Sequence, residues 1–174
     1  MNRKIAMILS LAALCAATAP AQAAGAAHGR FAHGNAEGGV TAGKFRGAAG
    51  PNGGAYARGR VTQTDGAGNG RTASGGAYRT PGGATAARAG STTRSADGTV
   101  SHQGQIAANG AKGSVQSSSS FTKGADGSAA GERNTTATGA NGTTYTGNTT
   151  YGKGEGVNHT GTCANAAGET IACR

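Results

Sequence analysis

The sequence predicts an all-β protein, an antiparallel meander of about nine or ten short strands with Asn/Asp-Gly turns, rolled or two-layered. Two observations predict it, recurring turn signals and side-chain alternation between them, against a composition that by itself favours disorder. Asn52-Gly53, Asn69-Gly70, Pro81-Gly82-Gly83, Asp97-Gly98, Asn109-Gly110, Asp126-Gly127, Asn141-Gly142, Glu155-Gly156 and Gly168 mark turns at intervals of 12 to 17 residues. Asn-Gly and Asp-Gly are strong hairpin signals, since a type I′ turn needs positive φ at both central positions. The segments between are rich in Thr, Ser, Val, Tyr and Ala, and a flexible linker has no such spacing.

Residues 1–23 read as an export signal. Arg3 and Lys4 precede the apolar run Ile5–Cys15, and Ala21-Gln22-Ala23 fits an A-x-A cleavage site. Removing 23 of the 174 residues leaves 151, enough for one domain. No transmembrane span is expected after signal removal. Residues 24–39, AGAAHGRFAHGNAEGG, show no period and read as a flexible leader to a single β-repeat domain over 40–174.

Within that domain Val40–Arg46 is the first expected strand. In 55–62, Ala55, Ala57, Gly59 and Val61 share one face, with Tyr56, Arg58, Arg60 and Thr62 on the other. Segments 71–79 and 84–94 have almost only alanine at their apolar positions, which leaves their inner face unassigned. The second half alternates more clearly. Val100-His102-Gly104-Ile106 matches Val157-His159-Gly161-Cys163, with looser versions in Tyr145-Gly147-Thr149-Tyr151 and Val115-Ser117-Ser119-Phe121. The intervening positions are Ser, Thr, Asn and Gln. Gly59, Gly104, Gly147 and Gly161 are therefore expected on an inner face, where glycine permits bending and close backbone approach.

Two other readings fit the same composition. Each unit of about 14 residues could be one coil of a small β-solenoid. The chain could also be largely disordered, because the mature part has no Leu, Met or Trp and all 34 glycines. Alternation running straight through the central glycine favours the meander, since a corner there would reset the parity.

Cys163 and Cys173 are the two cysteines left after processing, nine residues lying between them, and are expected to pair across the last hairpin in an oxidising compartment. No metal site or cofactor is expected. His102 and His159 occupy equivalent repeat positions, about 19 Å apart in a flat sheet. Serines lack a nucleophile-elbow context, glycine pairs occur without a following G-K-[ST], and most acidic residues fall in turns. The expected protein is not an enzyme.

The charge is uneven: nine basic residues lie between Arg30 and Arg94, against Glu37 and Asp65. Arg58, Arg60, Arg71, Arg79, Arg88 and Arg94 are the candidate anion-binding residues. The function expected is that of an exported β-repeat component of the cell envelope, surface or extracellular matrix, periplasmic or outside the cell. It would act through self-association and its polar and cationic faces. The alternative is a monomeric binding module for anionic glycans, lipopolysaccharide or extracellular DNA, without sequence-specific nucleic-acid recognition.

Overall fold

The computed structural model describes residues 24–173, so the expected export signal lies outside the described residues. Eleven strands form one antiparallel sheet, each strand paired with the next in sequence. They are β1 (Gly25–Gly34), β2 (Val40–Ala49), β3 (Ala55–Thr64), β4 (Gly70–Arg79), β5 (Thr85–Arg94), β6 (Val100–Gly110), β7 (Gly113–Lys123), β8 (Ala129–Gly139), β9 (Thr144–Gly152), β10 (Gly156–Ala164) and β11 (Thr170–Ile171). The chain reverses at every connection, which excludes a solenoid.

The sheet is a single open layer, not closed into a barrel and without a second layer packed on it. Among the described residues no hydrophobic side chain is buried, and Gly147 alone falls in the buried class. The expected inner face therefore does not exist. Strand parity also separates the four glycines assigned to it. Gly104, Gly147 and Gly161 lie on one face, called the front here, and Gly59 lies on the back. Composition sets which residues share a face, but whether a second layer covers that face depends on chain length and closure.

The turns differ in type from the expectation. Seven loops share one pattern, in which residue i donates its N–H to the carbonyl of i+4 and receives the N–H of i+3. In the loop from Ser95 these bonds are 2.9 Å to Thr99 and 3.0 Å from Gly98. The fourth residue is always glycine with positive φ, and among the described residues no other residue type adopts positive φ. These are three-residue loops of a type I turn closed by a G1 bulge, not type I′ turns. The Asn or Asp before the glycine stays right-handed and uses its side chain instead: Asp97 accepts from Thr99 N at 2.8 Å and Asn141 from Thr143 N at 3.1 Å.

Two expected turn centres also move. Positive φ occurs at Gly68 and Gly113 rather than at Gly70 and Gly110, which sit in strands. Gly38, Gly53, Gly68, Gly83, Gly98 and Gly113 then follow one another at a constant step of 15 residues. One repeat unit is a strand plus a loop.

The supposed leader contains β1, paired with β2 over ten register positions. Its period is hidden because Gly and Ala occupy both faces. Its anchors are reciprocal aromatic–glycine pairs on the back. Phe31 lies opposite Gly43 and covers it, and Phe45 lies opposite Gly29 and covers it. On the front Phe121 sits against Gly131, and the Tyr145 ring covers both Gly147 and Gly161. The side chain absent from glycine leaves a flat seat for a ring from the next strand, a cross-strand pair that stabilises register.

Loops on each rim are tied to their neighbours. Asn35 Nδ2 donates to Thr64 O at 2.7 Å, Ala96 N to Asn69 Oδ1 at 2.8 Å, and Lys153 Nζ to Gly127 O at 2.9 Å. The Asn69 amide, donating to the Asp65 carboxylate, holds its pKa below the ordinary value of 3.8; the Ser128 hydroxyl does the same for Asp126. A lowered native pKa contributes stability above that value, which is lost as pH falls through the lowered one.

The Cys163–Cys173 disulfide closes the last hairpin, with Cα atoms 5.3 Å apart. β11 is only two residues long, so this bond is its main restraint. Reduction is expected to cost about 2–3 kcal/mol locally. Limited proteolysis with and without reductant checks this: cleavage should appear within 165–173 while β1–β10 stays protected.

Candidate anion-binding face

Strand register decides which cations meet. On the front of β1–β3, Arg30 lies opposite Lys44 and Lys44 opposite Arg60, forming one row across three strands. His28 lies opposite Arg46 and Arg46 opposite Arg58, forming the adjacent row. Neighbouring strands are about 4.8 Å apart and same-face residues about 6.7 Å apart along a strand. Five permanent cations thus occupy a field of roughly 10 by 7 Å, all exposed to solvent. Arg88 is reached across Gly76, and Arg94 stands further along β5 on the same face.

Of the six arginines expected here, Arg58, Arg60, Arg88 and Arg94 are on the front. Arg71 and Arg79 point to the back, where Arg79 Nε donates to Gly53 O at 3.1 Å. Arg30, Lys44 and Arg46, which are not among the six candidates, belong with Arg58 and Arg60. Lys44 and Arg46 share the parity of Val40, a visible signal. Arg30 was hidden by the reading of its segment as a leader.

No carboxylate sits on this face. Among the described residues Glu37, Asp65, Asp97, Asp126, Glu155 and Glu169 are in loops, and Glu132 is on the back of β8. Like charges directly opposite one another destabilise a sheet. At about 5.5 Å in water each such pair costs about 0.8 kcal/mol before salt screening. The field is therefore a cluster of exposed, mutually repelling cations.

Elsewhere two imidazoles are held by cross-strand hydrogen bonds. His102 Nδ1 pairs with Thr92 Oγ1 at 2.9 Å, and His159 Nδ1 with Thr149 Oγ1 at 2.7 Å, the same cross-strand Thr–His unit used twice. His159 Nε2 also meets the Tyr145 hydroxyl at 3.0 Å. No group of three metal-ligating side chains occurs among the described residues. Two open depressions of about 430 and 610 Å³ lie near Tyr78 and Tyr145, and neither is lined by a carboxylate or an imidazole. No helix of the described residues is long and apolar enough to cross a membrane.

Compared with protein-family models, with curated proteins and with solved structures, the chain matches none.

Proposed function

We propose that this is an exported, non-enzymatic component of the cell surface, envelope or extracellular matrix that works by associating with other copies of itself. One observation carries the reading: eleven strands form a sheet in which no hydrophobic side chain is buried. Stable domains pack at least two layers around a core, because burial must offset the entropy of ordering the chain. A one-layer sheet of this size gains that second layer from outside. Sedimentation of mature, oxidised protein over a range of concentrations tests the proposal. The expected result is a series of species growing with concentration, and a monomer at every concentration would sink it.

The acid-free cationic field supports a second reading, retention of anionic polymers such as acidic glycans on the front of β1–β3. It is compatible with the first, since association through other parts of the sheet leaves this face open.

A further inference from the structure

The two faces exchange character halfway across the sheet. On the front, β1–β3 carry the cations, with Val40, Tyr56 and Tyr78 near the strand ends of β2–β4, and every Val, Ile, Phe and Tyr of β6–β11 is on the front as well. On the back, β1–β5 carry Phe31, Phe45 and Val61 on a floor mainly of Gly and Ala, bounded at one end by the polar row His33–Thr41–Gln63–Arg71–Thr93. The back of β6–β10 is mainly Ser, Thr, Asn and Gln, with Ala107, Ala130 and Ala164 and the single carboxylate Glu132. Apart from the end row Ala48–Tyr56–Tyr78–Ala86, which continues on the front, the apolar surface thus divides into a back patch in the first half and a front patch in the second. One rigid sheet cannot bring them together.

We propose that copies stack by half-overlap, the back of β1–β5 of one copy on the front of β6–β10 of the next. This deepens the self-association reading and rests on it. The patches match in size: five strands each, roughly 24 by 30 Å, give about 700 Å² per partner. A standard stable interface takes about 800 Å² per partner. They also match in relief. Ile106 and Val157 project from the front at 49% and 71% exposure, and the back presents mainly Gly and Ala around Ala57, Gly59, Gly75 and Ala77. Large side chains facing small ones is how packed layers interdigitate.

The charges fit the same arrangement. Arg71 and Arg79 stand at the strand ends of the back patch, at its rim. In the front patch Lys123 ends β7 opposite Val100, at the rim, and Arg133 is drawn aside to Ser117, Nε donating to Oγ at 2.9 Å. The cationic field of β1–β3 and the polar back of β6–β10 remain in water. A two-fold pairing of like patches would leave the other apolar patch uncovered on each copy. Edge growth beyond β10 meets the segment Asn165–Cys173, held there by the disulfide. A head-to-tail contact that does not close makes a filament.

Two double variants test this. Val61→Glu with Ala77→Glu spoils the back patch, and Ile106→Glu with Val157→Glu spoils the front patch. All four residues are exposed in the single sheet, so the strands should persist by circular dichroism. Each variant alone should sediment as a monomer, and an equimolar mixture should form a one-to-one dimer that grows no further. The stacking geometry is overturned if either variant alone still dimerises, if the mixture stays monomeric, or if filaments form regardless. A wild-type protein that never associates overturns the self-association reading itself.

Discussion

Replacing Arg30, Lys44, Arg46, Arg58 and Arg60 together by serine is expected to abolish retention on heparin or a polyuronate at low salt. A cation near an anionic surface contributes about 1 kcal/mol, so five amount to about 5 kcal/mol, or a thousandfold or more in affinity. The same change removes the opposed pairs Arg30/Lys44, Lys44/Arg60 and Arg46/Arg58. Stability should therefore rise by about 1–2 kcal/mol while binding falls. That combination of signs distinguishes a binding field from cations that merely keep the sheet soluble. Replacing Arg71 and Arg79, on the other face, should leave most of the retention in place. Equal losses from the two sets would mean that net charge, not the face, is what the polymer reads.

The second large effect concerns the backbone. Gly83 has φ +83 with open space where a Cβ would stand, so Gly83→Ala is expected to cost about 1 kcal/mol through backbone strain alone. Gly113 has φ +129, and a Cβ there would fall on the carbonyl of Thr138 in the next strand. Gly113→Ala must also displace the β7–β8 ladder at that end, so about 3 kcal/mol or more is expected. Urea unfolding midpoints of the two variants give the comparison. Equal midpoints would contradict the register at Gly113–Gly139.

The sheet's second half was legible because larger side chains alternate there with uniformly polar ones. Val100 to Ile106 and Val157 to Cys163 sit on the front as their spacing implied. β1 was not legible, because Gly and Ala give no contrast between faces and its anchors, Phe31 and Phe45, act on glycines of the partner strand. The 15-residue period was masked by Asn69-Gly70 and Asn109-Gly110, which resemble turn centres but lie beside the positive-φ glycines Gly68 and Gly113. Asn/Asp-Gly serves both a two-residue type I′ turn and a three-residue bulged loop, and only loop length separates them. The cationic field was half legible: alternation placed Arg58 and Arg60 together, but cross-strand register was needed to bring Arg30, Lys44 and Arg46 beside them. Closure was the least legible feature, because an apolar stripe looks the same in sequence whether its own chain or another copy covers it.

A sheet with no core of its own, stabilised by association as proposed, should unfold at a temperature set by its concentration. Thermal unfolding measured over a hundredfold range of protein concentration tests it most directly. Binding to the native state alone raises the Tm with concentration, here by about 5–10 °C over that range. A Tm that does not move, in a protein that sediments as a monomer throughout, would contradict it.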